Sequence, residues 1–289
     1  MKEAMKEMLA DCVGVIVGVD PMDAEVLASA PKLRAIAKYG VGLDNIDLEA
    51  CKQRGIAVSR TVGANSNAVA DYALTLMLMV ARKAGLIDRR CREKDWGKIT
   101  SIDLYGKTLG IVGLGAIGRC VVKRAQGFGM KVIAYDMYQN PDLPFVTYVD
   151  LDTLLATSDL ISLHCPLMDS TYHMINLQSI EKMKDGVILV NTSRGGLIKT
   201  DDLIAGIREN KFFGVGLDVY EEETQNVFEN RENDILMHST TARLLSFPNV
   251  IVTSHQGFFT DEALSAIAHT TLDNAVAYLK GEKAGTELN

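Results

Sequence analysis

Three short apolar runs in this chain each end in residues able to do chemistry. Residues 187–190 lead into Asn191-Thr192-Ser193-Arg194-Gly195-Gly196. Residues 214–217 lead into Asp218-Val219-Tyr220-Glu221-Glu222-Glu223, and residues 250–253 lead into Ser254-His255. Read as parallel strands, the runs bring an arginine, an acid and a histidine to one rim, where open α/β sheets bind their ligands. A guanidinium can grip a carboxylate with two parallel hydrogen bonds. An imidazole can give and take a proton near neutral pH.

A fourth strand end carries a more specific pattern. The apolar run 108–112 leads into Gly113-Leu114-Gly115-Ala116-Ile117-Gly118, a helical segment follows, and a second apolar run, 131–135, ends at Asp136. In such a unit the first glycine permits the tight turn, the second lets backbone approach a pyrophosphate, and the third lets helix pack on strand. The N–H groups that start the helix, including those of Ala116 and Ile117, hold the phosphates. Asp136 is placed to accept hydrogen bonds from the adenosine ribose. Its charge would repel a 2′-phosphate, and Met137 and Tyr138 offer no arginine to neutralise one. NAD is therefore the expected cofactor, not NADP.

The elements that position these clusters alternate. Strands are expected over 13–19, 33–38, 56–59, 108–112, 131–135, 160–163, 187–190, 214–217 and 250–253. Helices are expected over 23–29, 66–92, 119–129 and 263–280. Strands alternating with helices mean a parallel sheet. The expected fold is α/β: a Rossmann dinucleotide domain over 96–257, a smaller flavodoxin-like domain over 1–95, and a closing segment, 258–289, returning to it.

Composition narrows the function. The 289 residues are 47% hydrophobic and 23% charged, as in an ordinary soluble enzyme. A net charge of −7 argues against nucleic acid or an anionic membrane as partner. Cys12, Cys51, Cys91, Cys120 and Cys165 are scattered and odd in number, which suggests reduced thiols, no metal site and a cytoplasmic protein. The first residues lack the apolar core of a secretory signal. No apolar run is long enough to span a bilayer.

The whole arrangement resembles the NAD-dependent D-2-hydroxyacid dehydrogenases. Its carriers are the glycine turn, Leu163-His164-Cys165-Pro166, Asn191-Thr192-Ser193-Arg194-Gly195, the stretch from Gly216 to Glu223, and His255-Gln256-Gly257-Phe258-Phe259-Thr260. The resemblance implies a catalytic arginine, glutamate and histidine at Arg194, Glu223 and His255. Arg194 would hold the carboxylate of a 2-oxo acid and polarise its carbonyl. His255 would donate the proton as hydride arrives, and Glu223 would favour the charged form of His255. Cys165, Pro166, Thr192, Ser193 and Asp218 would line the cofactor cleft, Asp218 meeting the nicotinamide carboxamide. The backbone of Val41 and Gly42, within Lys38-Tyr39-Gly40-Val41-Gly42-Leu43-Asp44-Asn45-Ile46-Asp47, would hold the substrate carboxylate. Phe258 and Phe259 would wall its side chain. His164, His173, His238 and His269 are read as structural or surface residues, His164 lying near the cleft.

Two segments point to different substrates. The long stretch 226–247 and the motif after His255 resemble the D-lactate branch, which makes D-lactate and pyruvate the expected pair. The segments around Gly42 and Ala64 resemble the phosphoglycerate and glyoxylate/hydroxypyruvate branch. A NAD(H)-sensing corepressor on the same scaffold is the alternative from another class. Family members usually carry a strand, a helix and a strand before the segment matching residues 1–10, so the small domain is expected to be shortened, with an exposed edge at 13–19. A homodimer is expected, with the apolar run 73–81 offering an extra face to bury.

Overall fold

The computed structural model describes residues 2–140, 143, 145–223 and 240–288. The chain divides into two compact units, Met1–Asn65 with Phe259–Asn289, and Ser66–Phe258.

The first unit holds a three-stranded parallel sheet in the order β1 (Gly14–Val17), β2 (Ala35–Lys38), β3 (Ala57–Ser59). Helices α1 (Lys2–Leu9), α2 (Ala24–Ala28) and α3 (Leu48–Gln53) belong to it. Asp23 and Asp47 cap α2 and α3 by accepting the N–H groups of Val26 and Ala50. The C-terminal helix, Asp261–Leu279, packs on β1 and β2. As expected, β1 is an edge strand, with Val13, Ile16 and Val19 exposed beside and along it. The loop carrying Val41 and Gly42 follows β2. Buried Lys38 anchors it, donating to Gly18 O and to Asn45 Oδ1.

The second unit opens with α4 (Ser66–Arg82) and α5 (Ala84–Arg92). Seven parallel strands follow: β4 (Thr108–Val112), β5 (Lys131–Tyr135), β6 (Thr147–Tyr148), β7 (Leu160–Leu163), β8 (Val187–Asn191), β9 (Phe212–Leu217) and β10 (Val250–Val252). Their order is β10-β9-β8-β7-β4-β5-β6. The chain therefore winds outward from β4 in one direction, then returns to lay β7 on β4's other side. Crossovers between strands include α6 (Ala116–Gly127), α7 (Leu151–Thr157), α8 (Leu177–Lys182), α9 (Thr200–Arg208) and α10 (Thr240–Ser246). The C-terminal helix is accordingly α11. β7 and β8 are buried along their whole length, as central strands of a sheet covered on both faces must be. The reversal beside β4 is the doubly wound switch point, and ligands bind outside the strand ends there.

Two expectations meet a different structure. The helix expected over 66–92 is broken at Lys83, whose left-handed backbone (φ 52°) starts α5 in a new direction. Residues 66–95 had been placed with the small domain. Instead α4 packs on β8, β9 and α6. Glycines in β9 make this possible: a Cβ on Gly214 would sit 2.6 Å from Val80 Cγ1. The run 73–81, offered as a face for a second subunit, is spent on this contact: Ala73, Leu74, Leu76, Met77, Val80 and Ala81 are all buried within the unit. Among the described residues, no helix is long and apolar enough to cross a membrane.

Candidate active site

The glycine turn has the three-part geometry its spacing requires. Gly113 has φ 96°, and a Cβ there would lie 2.6 Å from the backbone nitrogen of Cys165 at the end of β7. A Cβ on Gly118 would collide with the carbonyl oxygen of Gly113, so only glycine lets α6 start this close to β4. Gly115 differs: no atom lies within 4 Å of the position its Cβ would take. Gly115 is the N-cap residue of α6, and no side chain caps that helix. Open space over an uncapped helix start is an anion seat, with the N–H groups of Ala116, Ile117 and Gly118 at its floor. Asp136, just past β5, accepts the N–H of Leu114 (2.6 Å) through Oδ2 and the N–H of Tyr138 (2.9 Å) through Oδ1. A dinucleotide's pyrophosphate and ribose fit these residues.

The ends of β7 and β8 are knitted together. Ser193 Oγ donates to Cys165 O (2.7 Å). Buried Asn191 accepts the N–H of Ser193 (3.0 Å) and donates to Arg194 O (2.8 Å), which fixes the backbone that carries Arg194. Burial pushes the Cys165 thiol up to about 11. Pro166 is exposed beside it. Two buried polar atoms, Thr192 Oγ1 and His164 Nδ1, have no hydrogen-bond partner within the protein. Leu163 pairs with Asn191, so the next rung places His164 and Thr192 side by side on one face. Orphaned buried polar atoms at a strand end are what a bound cofactor or ordered water would satisfy.

His255 sits on the loop after β10 with a left-handed backbone, φ 56°, a conformation costly for a residue with a side chain. Asp218 supports it. That residue is only 1% exposed, and its carboxylate accepts Thr253 Oγ1 (2.6 Å), Gln256 N–H (2.8 Å) and Gly257 N–H (2.7 Å). Its carbonyl accepts the N–H of His255 (2.9 Å). His255 Nδ1 lies 3.1 Å from Glu223 Oε2. Phe258 stands edge-on to the His255 ring, centroids 5.9 Å apart. A carboxylate-oriented imidazole of this kind can move a proton, and a guanidinium two strands away on the same sheet end can hold an anion.

Arg194, Glu223, His255, Asp218 and Phe258 thus share one unit with Gly113, Gly115, Gly118, Asp136, Cys165, Pro166, Thr192 and Ser193. Val41 and Gly42 belong to the other. Asp218 has a task its sequence context did not suggest, the clasping of the His255 loop. His173, read as a structural or surface residue, pairs with Glu221 (2.6 Å) across 48 positions. A remote pairing leaves no spacing signal in the chain. His238 and residues 226–239 of the long stretch lie outside the described residues.

Known proteins are similar to this chain in sequence and fold. The family described as D-isomer specific 2-hydroxyacid dehydrogenase, NAD binding domain, matches residues 74–257. A glyoxylate reductase of Thermococcus litoralis is 42% identical over 275 residues, covering 91% of this chain and 79% of the relative. A D-lactate dehydrogenase of Escherichia coli is 39% identical over 273 residues, covering 90% and 83%. The solved D-lactate dehydrogenase of Aquifex aeolicus, complexed with NAD and lactic acid, superposes with a TM-score of 0.89. It is 34% identical, covering 96% of this chain and 86% of that one.

Proposed function

Because this chain belongs to the D-isomer-specific 2-hydroxyacid dehydrogenases, and is an NAD-dependent oxidoreductase of 2-hydroxy acids, we propose that it interconverts D-lactate and pyruvate. The observation that carries the chemistry is the Glu223–His255 pair, 3.1 Å apart, on the same sheet end as Arg194 and the glycine turn. NADH, when bound, supplies the hydride that reduces the oxo carbon. The residues holding it are Gly113, Gly115, Ala116, Ile117 and Gly118 at the pyrophosphate and Asp136 at the ribose. Cys165, Pro166, Thr192 and Ser193 would line the rest, and Asp218, expected at the nicotinamide carboxamide, would act there through the His255 loop it clasps.

Arg194 grips the substrate carboxylate and draws electron density from the carbonyl oxygen. His255 donates a proton from Nε2 to that oxygen, and takes it back in the oxidative direction. Glu223, at Nδ1, fixes the orientation of the ring. Phe258, edge-on to the His255 ring, supplies an apolar wall for the substrate's side chain. The reduced, unpaired state of all five cysteines supports a cytoplasmic setting. A homodimer is supported by α5, which buries no residue of its own, and by Trp96, 78% exposed beyond it.

A second reading has its own support. The similar Thermococcus protein is a glyoxylate reductase, which points to glyoxylate or hydroxypyruvate. The test is NADH oxidation at 340 nm with pyruvate, glyoxylate, hydroxypyruvate and phosphohydroxypyruvate. Highest kcat/KM with pyruvate is expected; a tenfold preference for any other acid overturns the assignment.

A further inference from the structure

Glu221 lies two residues before Glu223 yet reaches a different place. Its Oε2 accepts both the N–H (2.8 Å) and the hydroxyl (2.5 Å) of Thr200, the first residue of α9. Its Oε1 lies 2.6 Å from His173 Nε2. Lys199, the N-cap residue of α9, makes no capping hydrogen bond with its own side chain. The helix therefore takes its cap from another loop, where a carboxylate satisfies orphan donors and meets the positive end of the helix dipole.

His173 is itself fixed on several sides. Its N–H donates to Gly196 O (2.9 Å), its carbonyl accepts Asn176 Nδ2 (2.9 Å), and its ring stacks on Tyr172 with centroids 3.8 Å apart. Three segments meet at Glu221: the loop between β7 and α8, the segment from β8 to α9 that carries Arg194, and the β9 loop that carries Glu223. A second joint lies alongside. A Cβ on Gly195 would overlap the carbonyl of Tyr220 and lie 2.6 Å from Glu221 N.

We infer that Glu221 and His173 are positioning residues. They clamp the Glu223 loop to the Arg194 loop and so keep Glu223 Oε2 within reach of His255 Nδ1. The inference rests on the proposed proton-handling role of Glu223 and His255. Burial pushes the Glu221 carboxyl up, and the hydrogen bonds from Thr200 and His173 outweigh it and hold it below the usual range. The other charged groups nearby are Lys199 and Asp202 of α9, 3.1 Å from each other, and Glu222 and Glu223 on the same loop.

The test compares wild type, E221Q, H173A, H173Q, E223Q and E221Q/E223Q. The readouts are kcat and KM for 2-oxo acid reduction from pH 5 to 9, the NADH Kd by fluorescence titration, and the melting temperature. E223Q is expected to move the basic limb of the reduction profile to lower pH, because the proton donor loses its partner charge. E221Q should move it the same way by less and lower kcat roughly tenfold, as small misplacements of catalytic groups do. NADH Kd should stay unchanged. The double variant should match E223Q alone, and H173Q, which keeps a donor, should be milder than H173A. A merely structural role would lower the melting temperature and leave the limb in place. Profiles of E221Q and H173A that superimpose on wild type while E223Q is displaced overturn the inference. An undisplaced E223Q overturns the catalytic reading beneath it.

Discussion

Gly115→Ala separates binding from folding more cleanly than any other change in the glycine turn. No atom lies within 4 Å of the added methyl, and Gly115 has φ −64°, so the backbone accepts an L side chain without strain. Ala in place of Gly restricts the unfolded chain, worth about 0.4–1 kcal/mol. Ala is the poorer N-cap residue by up to about 1 kcal/mol. The two offset, so the melting temperature should barely move. The methyl does fill the space through which a pyrophosphate approaches the α6 N–H groups. Losing one charge-assisted hydrogen bond costs about 1.5–3 kcal/mol, and 1.4 kcal/mol is tenfold in Kd. NADH affinity should therefore fall by roughly ten- to a hundredfold. Gly118→Ala is the contrast. Its methyl meets the rigid Gly113 carbonyl, overpacking that costs about 1–3 kcal/mol and should lower the melting temperature by several degrees. Thermal melts of the apo proteins and NADH fluorescence titrations decide the matter. Wild-type NADH affinity in G115A, or a melting temperature as low as that of G118A, would refute the reasoning.

Other outcomes follow from the same geometry. His255→Asn should lower kcat by about 10²–10⁴-fold with NADH binding nearly intact; asparagine tolerates the left-handed backbone, so a near-normal melting temperature should accompany the loss, and full turnover would exclude His255 as proton donor. Because Asp136 repels a 2′-phosphate, kcat/KM with NADH should exceed that with NADPH by at least tenfold, and D136N should narrow the ratio. Burial holds His164 down at about 4, its Nδ1 shut away from solvent although the residue as a whole is only half-buried. The unfolded chain takes up that proton near 6.5 and the folded chain only near 4, so stability is full above pH 6.5 and falls between 6.5 and 4. The loss is about 3 kcal/mol, and denaturant melts of H164Q should lack that share of it. A dimer should sediment near twice 31.5 kDa, with activity falling on dilution by mass action; a fully active monomer would exclude it.

What the chain discloses in one dimension divides along physical lines. The glycine turn and the strand-end clusters are legible because each is local: a short apolar run, then residues whose types do the work. Strands β4, β5 and β7 fall where the apolar runs place them, since buried parallel strands need continuous apolar sequence. The break at Lys83 is not legible, because residues on both sides of it favour helix and only packing decides the turn. The identity of Asp218 as the clasp of the His255 loop is equally hidden, since its partners Gln256 and Gly257 lie on the next strand's exit.

The borrowed cap of α9 bears on the order in which the second unit assembles. With no side-chain cap of its own at Lys199, the helix start is complete only when the β9 exit loop brings Glu221 to Thr200. Amide hydrogen exchange would read this directly. The Thr200 N–H is shielded by a side chain 21 positions ahead of it in sequence. It should exchange at the rate at which that loop opens, faster than the amides deeper in α9. A single backbone proton far from any reacting atom would then record how often the loop that presents Glu223 lets go.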